Sequence, residues 1–239
     1  MKGVKRMIKS KTLYRLENLQ RFYIQRAEIV KAINGIDLVI NSGEFVAVLG
    51  PSGSGKTTLL NLLAGLDKNT GGSIYFEERD LLKLSDSERC DIRQFDIGII
   101  FQFYNMHPSF SAQENVEYPM MISKVPSENR RKRALDLLQQ VEVYDKRENF
   151  PAELSGGEKQ RIGVARALAN DPKVIIADEP TGDLDSEHAA AIIELLLEIN
   201  KNGKTIIMVT HDESLLTEEM RVLYLIDGRI SPSYPSFKY

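Results

Sequence analysis

The sequence has a single cysteine, no tryptophan and no long apolar run. The lone Cys90 excludes a disulfide within the chain and is typical of a protein from a reducing compartment. The apolar runs fall short of the ~20 residues that a membrane-spanning helix needs. With 31 basic and 34 acidic residues the net charge is −3, which gives no general electrostatic reason to bind nucleic acid. We therefore expect a cytoplasmic protein without a nucleic acid partner.

The two ends of the chain differ in composition from the rest. The first 13 residues lack the apolar segment of a secretion signal, and their basic side chains are Lys2, Lys5, Arg6, Lys9 and Lys11. We predict a solvated basic tail at residues 1–13, with weak attraction to an anionic membrane surface as the alternative. A second tail is predicted at residues 231–239.

A glycine-rich segment at residues 50–57 has the full pattern G-x-x-x-x-G-K-[ST]. Its glycines let successive backbone N–H groups wrap around phosphate oxygens, Lys56 can reach the β- and γ-phosphates, and the Thr57 hydroxyl can ligate Mg²⁺. Such a turn can match by chance, but an apolar strand before it and a helix after it favour a phosphate-binding loop. The sequence therefore predicts binding of ATP or GTP, through Gly50, Pro51, Ser52, Gly53, Ser54, Gly55, Lys56, Thr57 and Thr58.

Polar side chains also follow three further apolar strands. Asp178 and Glu179 come directly after residues 174–177, where Asp178 can hold Mg²⁺ and Glu179 can act as general base toward water. Two adjacent acids can instead cap a turn, but the phosphate loop upstream favours the metal and catalytic roles. Gln102 ends a strand where its amide oxygen can meet Mg²⁺ or the attacking water. His211 follows residues 205–210, where it can contact the γ-phosphate.

Residues 154–158 read Leu-Ser-Gly-Gly-Glu and open a helix. Ser155 and Glu158 have the spacing of a capping box. Capping does not require the glycines Gly156 and Gly157. Because they have no side chains, they leave the helix N-terminus open to an anion. This segment predicts a second phosphate-binding element, far from the first in sequence.

The order of apolar segments predicts the fold class. Near-continuous apolar strands alternate with helices, which is typical of a parallel sheet covered on both faces. The first 50 residues alternate apolar and polar positions as β-strands do. About residues 103–169 have a helical pattern, with Ser127 as a candidate N-cap. His107 and His188 are interpreted as surface or packing residues.

Taken together, these motifs resemble those of the ATP-binding cassette (ABC) ATPases. Residues 50–57 match the Walker A loop and Gln102 the Q-loop, and residues 154–158 match the LSGGQ signature with Glu158 in place of glutamine. Residues 174–179 match Walker B with its catalytic glutamate, and Asp185, His211 and Tyr23 match the D-loop, the switch histidine and the A-loop aromatic. For Tyr23, an ordinary strand aromatic is the alternative to a ring that stacks on the base. Residues 101–106, 111–119 and 178–185 are similar to the lipoprotein-release and macrolide-export group.

The resemblance implies an α/β P-loop NTPase core with an antiparallel β subdomain and a helical subdomain inserted at about residues 103–169, all within an ATPase domain at residues 14–230. It implies a homodimer in which Ser155, Gly156, Gly157 and Glu158 of one copy close over ATP and Mg²⁺ held by the other. It also implies a separate membrane permease, with this chain peripheral on the inner face of the membrane. Asp183 departs from the small or amide residue that the family has more often at this position.

Three other functions are alternatives to ATP-driven transport. A cell-division regulator of the same family, which signals through a membrane partner, stays open. A nucleic-acid ATPase is disfavoured, because the chain has neither coiled-coil arms nor a second cassette. A small GTPase is disfavoured because Asn200-Lys201 lacks the aspartate that recognises guanine.

Overall fold

The computed structural model describes residues 11–25 and 28–231, which form two sheets and six α-helices. The basic side chains predicted for the tail at positions 2, 5, 6 and 9 lie outside the described residues. The strands are β1 (Thr12–Gln25), β2 (Glu28–Asn41), β3 (Phe45–Leu49), β4 (Gly71–Phe76), β5 (Arg79–Asp80), β6 (Ile97–Ile100), β7 (Val174–Asp178), β8 (Thr205–Thr210), β9 (Arg221–Ile226) and β10 (Arg229–Ser231). The helices are α1 (Lys56–Leu63), α2 (Asp86–Phe95), α3 (Ala112–Ile122), α4 (Ser127–Gln140), α5 (Gly156–Ala167) and α6 (Ser186–Lys201).

The central sheet has the strand order β10-β9-β3-β8-β7-β6. All neighbouring pairs are parallel except β10 with β9. Every residue of β3 and β8 is buried, as expected for apolar strands covered on both faces. The carboxyl ends of β3, β6, β7 and β8 therefore meet at one edge of the sheet, where ligands bind in open α/β folds.

The central strand β3 joins two hydrophobic cores because its side chains alternate between the two faces. Phe45, Ala47 and Leu49 pack into a core shared with the helical lobe and α6. Val46 and Val48 pack into a core shared with α1 and the second sheet. The strand that leads into the phosphate loop is thus held from both sides, which fixes where the loop begins.

The second sheet is antiparallel, with the order β2-β1-β4-β5. Its core contains Tyr14 and Phe76, whose ring centroids lie 5.0 Å apart, and the Tyr14 hydroxyl donates to the Leu63 carbonyl oxygen at 2.9 Å. Strand β1 begins at Thr12, so two residues assigned to the N-terminal tail belong to the sheet instead. Lys11, just before it, pairs with Glu77 at 2.9 Å.

Helices α3, α4 and α5 form the helical lobe between β6 and β7. Ser111 caps α3 through a capping box with Glu114. The predicted capping role of Ser127 is wrong: Pro126 takes the N-cap position of α4 and Ser127 is its first helical residue. Within residues 11–25 and 28–231, none of the helices is long and apolar enough to cross a membrane.

Candidate functional site

A cleft of about 690 Å³ opens at the carboxyl edge of the central sheet. The residues predicted for phosphate, metal and catalysis that line it are Ser52, Gly53, Gly55, Lys56, Thr57, Thr58, Gln102, Asp178 and Glu179. The remaining wall was not predicted from the sequence and comes from Val30, Lys31, Ala32, Asn34, Asp227 and Gly228. These residues belong to β2 and to the turn between β9 and β10, which reach the loop only through tertiary contacts.

The phosphate loop has the backbone geometry of an anion cradle. Gly53 and Gly55 have φ of 80° and 107°, in the left-handed region that favours glycine. A Cβ on Gly55 would lie 2.2 Å from the Ala32 carbonyl oxygen, so no larger residue fits there. Gly55 also caps α1 without a side chain, and the first turn of α1 has no acidic residue. The helix N-terminus therefore faces the cleft with N–H groups that no side chain caps, an arrangement suited to phosphate.

Lys56 is held inside the loop by the loop's own carbonyl groups. Its Nζ donates to the carbonyl oxygens of Gly50 at 2.7 Å and Pro51 at 3.1 Å, and it lies 4.0 Å from Glu179 Oε1. The side chain is only 9% exposed. Lys56 is thus a buried positive charge at the bottom of the cleft, where a triphosphate would be the natural counter-charge.

Oxygen donors for a divalent cation meet beside Lys56. Burial raises the pKa of the Asp178 carboxyl, with a further contribution from the neighbouring Glu179, while a hydrogen bond with the Thr57 side chain opposes the rise. Gln102, after β6, lines the same cleft. A carboxylate, a hydroxyl and an amide oxygen are the hard ligands that Mg²⁺ prefers, with water or phosphate completing the set. The predicted metal residues therefore fit the ion.

Glu179 and His211 form a pair at the mouth of the cleft. Glu179 follows β7 and has a φ of 46°, in the left-handed region that non-glycine residues rarely adopt. Its Oε2 lies 2.8 Å from Nδ1 of His211, which follows β8. The predicted base and the predicted switch histidine are thus in direct contact, 32 residues apart in sequence.

The signature segment has the predicted capping box but lies outside the cleft. Ser155 Oγ accepts from the Glu158 backbone N–H at 3.3 Å, and the Ser155 N–H donates to Glu158 Oε2 at 2.7 Å. The Ser155 backbone N–H, with Lys146 nearby, holds the pKa of Glu158 below its usual value. Ser155, Gly157 and Glu158 line a separate hollow of about 430 Å³. One copy of the chain therefore does not bring its signature to its own phosphate loop.

His188, interpreted from the sequence as a surface or packing residue, lines this second hollow. Asp185 caps α6 by accepting from the His188 backbone N–H at 2.9 Å. The His188 ring then packs on Gly157, so it touches both the D-loop and the signature. The i, i+3 spacing from Asp185 was a signal for the local contact, but the contact with Gly157 is tertiary. His107, by contrast, stacks on Phe110 with ring centroids 4.1 Å apart.

Tyr23 is engaged outside the residues that line the cleft. Its hydroxyl donates to Asp67 Oδ2 at 2.7 Å, and the Arg21 guanidinium lies 4.3 Å from its ring centroid. The Tyr23 ring is therefore not part of the cleft wall. The residue that lines the cleft at this level is its cross-strand partner Val30, on the neighbouring strand β2.

Comparison with known proteins identifies the family that shares this architecture. The family model for ABC transporters matches residues 33–182. The lipoprotein-releasing system ATP-binding protein LolD of Legionella pneumophila is 40% identical over 215 residues, which cover 90% of this chain and 95% of LolD. The chain belongs to the ABC transporter family. This ABC protein is also 41% identical over 218 residues to the macrolide export ATP-binding/permease protein MacB of Sodalis glossinidius, covering 91% of this chain and 33% of MacB.

A solved structure extends the similarity to the fold and the reaction. The ATP-binding cassette MJ0796 of Methanocaldococcus jannaschii, dimeric and bound to ADP and Pi, is 41% identical to this ABC protein with a TM-score of 0.84. The match covers 91% of this chain and 96% of the MJ0796 chain. The predicted family, the fold class and the ATPase activity are confirmed, and the chain is an ABC transporter ATPase subunit that binds ATP.

Proposed function

We propose that this ATPase works as a head-to-tail homodimer around two ATP molecules and drives a separate membrane permease. The observation that carries the proposal is the separation of the two phosphate-binding elements. The loop around Lys56 lines one hollow and the signature around Gly157 lines another. Each copy therefore holds two half-sites, and a second copy is needed to complete a reaction centre. MJ0796, which is dimeric, supports the proposal.

The cleft residues divide the work on bound ATP. The loop N–H groups and Lys56 bind the phosphates, and Lys56 exchanges its loop carbonyl contacts for phosphate oxygens. Thr57, Gln102 and Asp178 would hold Mg²⁺. The bound ion would neutralise part of the negative charge of the phosphates. Glu179 polarises the attacking water, and His211 orients the Glu179 carboxylate through their 2.8 Å contact.

The partner copy contributes the other half of each site. The N-terminus of α5, with Ser155, Gly156 and Gly157, faces the γ-phosphate of the partner's ATP; its capping box leaves other N–H groups of the first turn for that anion. Glu158 supports that helix end through the capping box, and Asp185 approaches from the D-loop. Tyr23 stacks on the adenine once ATP draws its ring from Asp67.

A groove on the helical side is suited to the permease. A cavity of about 320 Å³ is lined by Ile97, Phe101, Pro119, Ile122 and Pro172, among others, and Ile122 is 55% exposed. An apolar cytoplasmic segment of the permease would bury these side chains. In this proposal the ATPase lies in the cytoplasm, peripheral on the inner face of the membrane. MacB, of which the chain matches one third, and LolD support a lipoprotein, peptide or macrolide-like cargo for export or extraction.

We assign the ATPase domain to residues 14–230 and add residues 12 and 13, because they begin strand β1. The helical subdomain is at about residues 103–169. The C-terminal tail was predicted from residue 231, but Ser231 is the last residue of β10. We assign no part in ATP binding to residues 1–10 and 232–239.

The dimer is tested with the Glu179→Gln variant, which keeps the shape of the side chain but removes the base. We expect ATP and Mg²⁺ to convert this variant from monomer to dimer in sedimentation velocity, while ADP leaves it monomeric. A strictly monomeric variant at high protein and ATP concentrations would refute the composite site.

The permease is tested by purification of the tagged ATPase from membranes. The parent should retain the permease, and the Ile122→Glu variant should lose it.

A further inference from the structure

We propose that His188 is a positioning residue of the signature half-site, which ties the D-loop to the signature helix and makes ATP-driven dimerisation stronger at acidic pH. The inference rests on the proposed dimer and adds a residue to it. No motif of the family resemblance includes His188.

The first contact joins His188 to the D-loop carboxylate. His188 is the third residue of α6, and its ring Nδ1 lies 2.8 Å from both carboxylate oxygens of Asp185. Its backbone N–H donates to the same carboxylate at 2.9 Å. The backbone N–H, together with the ring, holds the pKa of Asp185 below its usual value. Asp185 thus stays ionised and fixes the orientation of the ring.

The second contact joins His188 to the signature. A Cβ added to Gly157 would lie 2.6 Å from His188 Cδ2, closer than real side chains approach. The ring therefore lies directly on the backbone of Gly157, the second residue of α5. A larger residue at position 157 would therefore displace the ring from this position. The His188 side chain thus links the N-terminus of α6 to that of α5.

Charged side chains of both signs surround the ring. The charged groups are Asp185 at the N-cap of α6, Glu187 on α6, Glu158 and Arg161 on α5, and Glu142, Asp145 and Lys146 on the segment before the signature. Several of them pair with one another, Lys146 with Glu158 at 3.3 Å and Arg161 with Glu142 at 3.1 Å. The ring faces the Asp185 carboxylate and is 54% exposed toward the hollow.

Protonation of His188 adds a positive charge beside the helix end that meets the partner's phosphates. Histidine is the side chain that ordinarily changes charge between about pH 5 and pH 8. The added charge stabilises the ATP-bound dimer at each of its two sites, and it also strengthens the link to Asp185. The ATP-driven dimer should therefore tighten as the pH falls.

The test measures the dimer dissociation constant in ATP and Mg²⁺ by sedimentation velocity at about pH 6 and about pH 8. All proteins carry Glu179→Gln, so ATP is not consumed. The parent is compared with His188→Gln, which can still donate to Asp185 but cannot be charged, and with His188→Ala, which loses both properties. His107→Gln is the matched control, since it removes a histidine that stacks on Phe110 away from the signature.

We expect the parent and His107→Gln to dimerise roughly tenfold more tightly at the lower pH. The His188→Gln variant should lose most of that difference while it dimerises like the parent at the higher pH, and His188→Ala should dimerise more weakly at both. Binding of a fluorescent ATP analogue to the dilute monomers should be equal in all four proteins, because His188 does not line the cleft.

An unchanged pH dependence in His188→Gln would overturn the inference and leave the proposed function standing, because the dimer would still form with ATP. Equal dimer affinity of His188→Ala and the parent at both pH values would also overturn it. A parent without any ATP-driven dimer would refute the proposed function and this inference together.

Discussion

The two half-sites of the molecule differ in how they are built. The cleft around Lys56 is concave and stands on core strands, and the side chains of Lys56 and Glu179 are 9% and 15% exposed. The signature half-site is an open hollow at two helix ends, where the side chains of His188 and Asp185 are 54% and 66% exposed. The first can enclose phosphates without help from another chain. The second can only add to an anion that is brought to it.

In the proposed dimer, this difference means that the cleft provides the affinity for ATP and the signature half-site couples the two copies. A buried lysine and a loop of N–H groups bind strongly because they are shielded from water. An exposed helix end contributes little until a partner excludes water around it. Changes in the cleft should therefore affect binding and chemistry in one copy, whereas changes at the signature should affect association and leave binding unaltered.

The largest effect is expected from Glu179→Gln on ATP turnover. Loss of a general base lowers the rate by about 10²–10⁴-fold, while the affinity for ATP remains because Lys56 and the loop are untouched. Phosphate release in steady state measures the rate. Undiminished turnover would show that another residue is the base. Glu194→Gln, on the middle of α6, serves as the matched control.

Lys56→Ala should have the next largest effect, on nucleotide affinity. Removal of the buried charge lowers the affinity by about 100-fold, the value for loss of a strong charge-assisted contact. A fluorescent-ATP titration of the monomer measures it, and Lys83→Ala, whose side chain is 80% exposed, provides the control. Binding as tight as in the parent would mean that the loop backbone alone holds the phosphates.

Gly156→Asp should break the signature while sparing the cleft. An acidic residue in the first turn suits the helix, but its charge repels the partner's phosphates, so we expect dimerisation of the Glu179→Gln protein to weaken by about 30-fold or more. Gly156→Ala is the control for side-chain size. It adds a Cβ, which would lie 3.0 Å from the Tyr104 hydroxyl, but it adds no charge. If the aspartate variant bound ATP less well as a monomer, the two half-sites would not be independent.

The smallest effect is expected at Tyr23. Because its ring must leave Asp67 and Arg21 to stack on a base, Tyr23→Ala should weaken ATP binding by about fivefold, near the lower end for base stacking. Tyr23→Phe keeps the ring and should bind at least as well as the parent. Weaker binding in the phenylalanine variant would assign the role to the hydroxyl instead.

Short-range patterns predicted those features that depend on neighbours in sequence. The loop glycines, the capping box of Ser155 and the two acids at the end of β7 are set by local spacing, and the structure has them as expected. The contact between His188 and Gly157 and the pairing of Tyr23 with Asp67, 44 residues away, depend on how separate elements pack. No local pattern carries that information. Ser127 failed as a cap because the backbone of Pro126 already occupies the N-cap position.

The central claim is that the cleft of one copy is completed by the signature of another, and a mixing experiment tests it most directly. Two Glu179→Gln proteins are prepared, one with Lys56→Ala and a fluorescent label, the other with Gly156→Asp. Each should stay monomeric with ATP alone, since the first lacks a working cleft and the second a working signature. When they are mixed with ATP and Mg²⁺, one intact composite site can form, and the labelled chain should sediment as a dimer. A labelled chain that remains monomeric in the mixture, at concentrations where the parent is fully dimeric, would contradict the account.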